Sequence, residues 1–320
     1  MNKKPILIVS GEPYSVFFEI FFKSKKKINL KRPIILIGSK KLLIKQMFKL
    51  KFNFGINLIP KDNIDFDLLD NKKINLIDIN FKFKKTFDRI TAKSNSYINK
   101  SFEIALKILQ KEKCAGLING PISKKYFLKG KILGVTEYLL KKTKVENVAM
   151  LIFSNDLSVS PITTHLALKN VHKYISKQKI YQHVKLITEF YKVKFNKKPK
   201  IAITGLNPHC ESNFKDCEED RIIIPAIKKL KNQNFSVEGP FPADTIFIRE
   251  NLKKFDVIVG MYHDQVLAPM KSLLGFNAIN ITLGLPFIRI SPDHGPNYKM
   301  LGKNLSNPQS LINALKFLDK

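Results

Sequence analysis

The sequence predicts an α/β protein built on mainly parallel sheets, and three observations carry that prediction. Short β-branched runs alternate with longer stretches whose apolar residues recur at helical spacing. The alternation continues along the chain, as repeated βαβ units require. Loops rich in Gly, Pro, Asn and His fall at the ends of the apolar runs, where open α/β sheets bind their ligands.

The first run, PILIVS (5–10), reads as a buried strand, and GEPYS after it as an ordinary turn. With a single glycine, that turn is not the G-x-G-x-x-G dinucleotide fingerprint. RPIILIGS (32–39), KINLIDI (73–79) and AGLINGP (115–121) are the next strands, and SYINKSFEIALKILQKEK (96–113) is a helix with lysines on its outer face. The Lys/Asn-rich stretch from Lys61 to Lys93 has the poorest pattern and reads as surface. Further on, VAMLIF (148–153), KIAITGL (200–206), VIVGMYHD (257–264) and NAINITLG (277–284) predict four more strands. A long helix is expected over 171–195 and a last one over 307–320, with Asn307 as its N-cap. Asp244, in PADT, reads as a helix cap or as a group touching a site.

With 320 residues and 44% hydrophobic content, the chain can bury one large core or two medium ones. Its net charge of +30 taken alone suggests a phosphate-bearing partner such as nucleic acid. Against that, the lysines are dispersed and accompany abundant Ile, Asn and Phe, the pattern that drift in an AT-rich coding sequence produces. The charge therefore reads as a solvated surface, with no nucleic-acid partner expected. No apolar run reaches the roughly 20 residues of a membrane span, so no membrane partner is expected either. Cys114, Cys210 and Cys217 are odd in number and lack Cys-x-x-Cys spacing, which argues against disulfides and points to a reducing cytoplasm.

His165, His209 and His263 each follow a strand. Three imidazoles at three strand ends can converge on one divalent cation and leave positions open for a substrate oxygen; the bland alternative is a partly buried histidine satisfied by backbone.

Reading GEP, NGPISK, GVTEYL, TTHLALKNV, GLNPH, GPFPADTIF, YHDQ, NITLGLPFIR and DHG in that order, the chain resembles the 4-hydroxythreonine-4-phosphate dehydrogenase family of vitamin B6 biosynthesis from end to end. The resemblance implies a two-domain isocitrate/isopropylmalate dehydrogenase-like fold with a central cleft, working as a homodimer. The cofactor-side domain would be 1–125 plus 265–320, and 126–264 would carry the metal-site loops and dimer contacts. It implies NAD or NADP as cofactor and one divalent metal (zinc, magnesium or cobalt) on His165, His209 and His263. Thr136, Lys271, Asn280 and Arg289 match substrate-binding positions, for a phosphorylated small molecule. Asp293, His294 and Gly295 match the loop by which the wider β-decarboxylating dehydrogenases hold adenosine. His172, His183 and His294 are not expected at the metal.

The chemistry needs such groups. Oxidising a secondary alcohol requires its proton to leave, and a cation at that oxygen lowers the cost. Lys271 and Asp264 are the nearest candidates for proton transfer, although Lys271 also reads as one surface lysine among many. A planar guanidinium at Arg289 suits a phosphate or carboxylate, its alternative being a structural ion pair. The chain departs from the family pattern at four places. Val135 stands where the family has His, Pro296–Asn297 where it has Thr-Ala, and bulky residues follow GEP and GLNPH where it has glycines, which narrows the expected cleft. Val135 keeps a second substrate class open, 4-phosphothreonate or 4-phosphoerythronate, and a drifted non-catalytic member is the remaining alternative.

Overall fold

The computed structural model describes residues 4–111, 114–127, 134–211, 216–275, 277–292 and 295–320. Its regular elements run β1 (Ile6–Val9), α1 (Phe17–Lys27), β2 (Ile34–Gly38), α2 (Lys40–Lys49), β3 (Ile56–Leu58), β4 (Ile74–Asp78), α3 (Asn95–Gln110), β5 (Gly116–Asn119) and α4 (Val135–Thr143). They continue with β6 (Ala149–Phe153), β7 (Ser158–Thr163), α5 (Lys177–Phe195), β8 (Ile201–Thr204), α6 (Ile224–Asn232) and β9 (Val237–Phe241). Last come α7 (Arg249–Leu252), β10 (Val257–Tyr262), α8 (His263–Leu274), β11 (Ile279–Leu283), β12 (Arg289–Ser291) and α9 (Gln309–Asp319).

By its internal contacts the chain divides into a first unit, Met1–Thr143 with Pro286–Lys320, and a second, Lys144–Leu285. These boundaries differ from the expected ones at 125/126 and 264/265. Residues 134–143 stay with the first unit because α4 is tied to α3, where Tyr138 Oη donates to Asn99 Oδ1 at 2.7 Å. Residues 265–285 stay with the second because α8 packs on β7 and β10, and β11 pairs with β6.

In the first unit the strands lie in the order β3-β4-β2-β1-β5-β12, all parallel. Ile6 to Val9 are fully buried at its centre, as expected of a strand covered on both faces. The bulk after GEP turns inward: Phe17, Phe18, Ile20, Phe21 and Phe22 of α1 are buried in this unit's own core. Tyr14 is also buried, its hydroxyl donating to Lys85 O at 3.2 Å. The poorly patterned stretch 61–93 carries the buried strand β4 in its middle.

In the second unit the order is β11-β6-β7-β10-β8-β9. Here β11–β6 and β6–β7 pair antiparallel, while β7, β10, β8 and β9 are parallel. Its core includes Ile152, Val159, Ala202, Ile258, Val266 and Met270. Helix α5 starts where Ser176 Oγ accepts from Lys179 N at 3.2 Å, and ends at Asn196 in the left-handed conformation. Asn307 lies one residue before the N-cap of α9, which is Pro308, but its Oδ1 still accepts from Gln309 N at 2.9 Å. Among the described residues, no helix is long and apolar enough to cross a membrane. All three cysteines are free.

Candidate functional site

Three neighbouring parallel strands of the second unit, β7, β10 and β8, end side by side, with Tyr262 opposite Thr163 and Val259 opposite Ile203. Adjacent strands lie about 4.8 Å apart, so whatever follows their C-terminal ends is crowded into one small region. Side chains weld these ends together. Thr163 Oγ1 donates to Met261 O at 2.7 Å. The Gln265 amide makes three bonds: Oε1 accepts from Met261 N (2.7 Å) and Thr204 Oγ1 (2.9 Å), and Nε2 donates to Gly205 O (2.7 Å).

On this platform the imidazoles of His165 and His263 lie with ring centroids 5.9 Å apart and planes inclined by 36°. His263 is the first residue of α8, and its Nδ1 sits 2.8 Å from Asp264 Oδ1. That contact fixes the ring and leaves Nε2 as the atom for a ligand, the usual arrangement of a carboxylate behind a metal-binding histidine. Asp264 is therefore already engaged with the neighbouring imidazole.

His209 follows β8 in a loop of unusual shape. It and Cys210 both have left-handed backbones, φ 56° and 59°, which cost a non-glycine residue about 1–2 kcal/mol each. Glu219, 1% exposed, holds the loop: its Oε1 accepts from Leu206 N (2.7 Å) and Asn207 N (2.9 Å), and its Oε2 from Asn207 Nδ2 (2.8 Å). Burial alone would raise the Glu219 pKa, but these donors outweigh it and hold the carboxyl below its usual value. Only glycine fits at 205, because a Cβ there would meet Cys210 Sγ at 2.8 Å and Glu219 Oε1 at 2.9 Å. Asp244 caps no helix, since it lies in a turn and α7 starts at Arg249. It does neighbour this loop. Burial chiefly raises the Cys210 thiol pKa, and Glu219, Asp244 and Glu211 add to it.

Two of the three expected ligands are thus brought together, and the third sits on the loop of an adjacent strand. Among the described residues no group of three or more His, Cys, Asp and Glu side chains is ready to hold a metal ion. The donor chemistry suits a borderline divalent cation, with His209 as the expected third donor. His183 is apart and buried, its Nε2 2.6 Å from Ser160 Oγ, with burial pushing its pKa down to about 3. His172 is exposed on a short 3-10 turn. Gln265→Leu should cost about 2 kcal/mol of stability, because three polar groups at the strand ends lose their partner. Urea unfolding measures this, and an unchanged midpoint would remove Gln265 from its welding role.

The first unit holds a second cluster. Arg289 opens β12 and is 3% exposed. Its Nε donates to Asn119 Oδ1 (2.7 Å), Nη1 to Thr136 Oγ1 (3.1 Å) and Nη2 to Ser291 Oγ (3.3 Å). Burial lowers the guanidinium pKa to about 10, with Glu137 pulling the other way, so it stays charged at neutral pH. Thr136 is in the first turn of α4, beside Val135. Lys271 is exposed on α8 and Asn280 half-buried on β11. Gly295 is exposed with open space beside it, whereas Asp293 and His294 lie outside the described residues, as do 212–215 of the bulky stretch after GLNPH.

The sequence candidates do not include Asn119 and Ser291, which bond Arg289, or Gln265 and Glu219, which hold the strand ends and the loop before His209. GEPYS reads as an ordinary turn, yet Glu12 there is 2% exposed. The available signal was positional: Gln265 follows His263 by two residues, and Asn119 stands at the end of its strand in NGP.

Strand-end histidines on parallel strands of the second unit, with a buried arginine opening a strand of the first, fit an α/β enzyme. Residues 29–318 match the model of the family described as pyridoxal phosphate biosynthetic protein PdxA. The chain belongs to this family, and is an oxidoreductase of the dehydrogenase class. A 4-hydroxythreonine-4-phosphate dehydrogenase of Sulfurihydrogenibium sp. (strain YO3AOP1) is 39% identical over 317 residues, covering 97% of this chain and 96% of its own. An Oceanobacillus iheyensis protein assigned as a D-threonate 4-phosphate dehydrogenase is 33% identical, covering 98% and 97%. The structure of 4-hydroxythreonine-4-phosphate dehydrogenase from Klebsiella pneumoniae superimposes with a TM-score of 0.86 at 26% identity, covering 99% of this chain and 98% of that one.

Proposed function

We propose that the protein oxidises 4-hydroxythreonine 4-phosphate in vitamin B6 biosynthesis, with loss of carbon dioxide, in the cytoplasm and as a homodimer. The observation that carries this reading is the pairing of His165 with His263 at neighbouring strand ends, in a chain of this family. His165, His209 and His263 hold the divalent cation; zinc, magnesium and cobalt are the candidates. When bound, that ion stabilises negative charge developing on the substrate hydroxyl oxygen. Gly295 and the two residues before it would hold the adenosine of NAD or NADP, which when bound would supply the hydride acceptor. Asp264 keeps His263 in the tautomer that presents Nε2. Arg289 and Thr136 take the substrate phosphate, and Lys271 and Asn280 are its further contacts. Lys271 is the group that moves the proton, since Asp264 is occupied with His263.

The test is turnover of 4-hydroxythreonine 4-phosphate with NAD and with NADP, before and after EDTA. Activity that EDTA abolishes and a divalent ion restores is the expected result; no turnover with either cofactor and added metal overturns the reading. A second reading, D-threonate 4-phosphate as substrate, is favoured by Val135 and by the Oceanobacillus relative. Val135→His separates the two: it should raise activity on 4-hydroxythreonine 4-phosphate under the first, and abolish activity on D-threonate 4-phosphate under the second. Light scattering at moderate salt should give twice the 36.8 kDa of one chain, and a monomer at micromolar concentration would count against the dimer.

A further inference from the structure

The turn after β1 is pressed against the turn after β5. Gly11 has φ +73°, and a Cβ on it would lie 2.5 Å from Pro121 O; one on Gly120 would overlap Ser10 O. Glu12 N donates to Pro121 O at 2.8 Å, so the Glu12 side chain is committed to the interior. Both Glu12 carboxyl oxygens are buried without a hydrogen-bond partner, and so is Oδ1 of Asn95, the residue that follows Ser94. Asn95 Nδ2 is used on Tyr126 O at 2.9 Å, and the Ser94 hydroxyl on Thr91 O at 2.9 Å. Ser94 and the backbone of Ser123 approach the carboxyl and ease its burial only in part. Tyr97 of α3 is the titratable group nearby, and its hydroxyl is engaged with Ser10 Oγ at 2.8 Å and Ser39 N at 3.2 Å.

Buried polar atoms are almost always paired, and Ser94 and Ser123 serve the carboxyl only in part, so the Glu12 oxygens and Asn95 Oδ1 suit a positive partner. We propose that Glu12 and Asn95 hold one buried monovalent cation, potassium or ammonium, at the C-terminal edge of the first unit's sheet. One carboxylate with neutral oxygens balances one positive charge, whereas a divalent ion would leave half its charge uncompensated in the interior. Binding exchanges one ion for the carboxyl proton, which leaves to solvent, so charge is conserved. The ion would stiffen the turn 119–121, whose Asn119 orients Arg289. The site shares no residue with the histidines and does not depend on the proposed substrate.

Thermal unfolding should be compared in potassium, ammonium and tetramethylammonium chloride at equal ionic strength. Potassium or ammonium should raise the wild-type Tm by about 3 °C or more over tetramethylammonium, and Glu12→Gln should abolish the difference. Calorimetry at about pH 6.5, in two buffers of different ionisation enthalpy, should show up to one proton released per ion. An equal Tm rise in Glu12→Gln, or no rise in wild type, overturns the proposal, the latter leaving water as the occupant. Ion uptake without proton release overturns it by itself, whatever the variant's folding.

Discussion

Arg289→Lys should lower kcat/KM on the phosphorylated substrate by about tenfold to a hundredfold, while near-ultraviolet circular dichroism stays native. The guanidinium is held by three different acceptors, Asn119, Thr136 and Ser291, one for each nitrogen. An ammonium has a single centre and cannot reach all three, so the plane that could meet two phosphate oxygens at once is lost. Losing such a charge-assisted contact costs about 1.5–3 kcal/mol, which sets the size of the effect. If the phosphate is the group bound, the loss should shrink on an unphosphorylated analogue. An equal loss on both substrates would assign Arg289 to holding the strand end and not to the anion.

Glu12→Gln should stabilise the protein by about 3 kcal/mol at pH 8 in tetramethylammonium buffer, and by little at pH 4. Burial raises the Glu12 pKa from 4.5 to about 7, against the weaker pull of Ser94 and Ser123. Between those values the folded form keeps a proton that the unfolded chain has lost, so wild-type stability falls as pH rises from 4.5 to 7 and then levels off. The gap between the two pKa values converts to about 3 kcal/mol. His183 acts in the opposite sense: its pKa falls from 6.5 to about 3, so its contribution grows as pH rises through that interval. The difference between variant and wild type, measured by urea unfolding across pH, removes the His183 part. A difference that does not change with pH would mean that Glu12 is not titrating in the fold.

The strands legible from sequence were those with unbroken apolar runs, such as 34–38 and 257–262. Three were not. β9 (VEGPF) carries a proline inside, which removes a ladder donor, and its glycine dilutes the apolar pattern. β3 and β12 have three residues each, too few to show a period, and β12 opens with a charged residue. At the candidate site, the strand-end positions of His165 and His263 were legible because loop chemistry follows apolar runs. The supports were not, because a tertiary contact such as Glu219 with Asn207 depends on how a later helix returns to an earlier loop. The burial of Glu12 was equally hidden, since it arises from two turns 110 residues apart in sequence pressing together.

The insertion of one unit within the other also orders events during synthesis. The second unit ends at Leu285, whereas the first needs β12 and α9 from the last stretch of chain. While the ribosome is still making that stretch, β5 has no neighbour on the side that β12 will take. Leu311, Leu315 and Leu318, which later shield the first unit's interior, are also missing then. A nascent chain stalled near residue 285 would therefore offer a bare parallel edge and uncovered apolar surface, a natural target for chaperones or for sticking to another copy. Arg289 arrives with the strand that seals that edge, so the candidate anion grip is assembled only once the vulnerable interval is over.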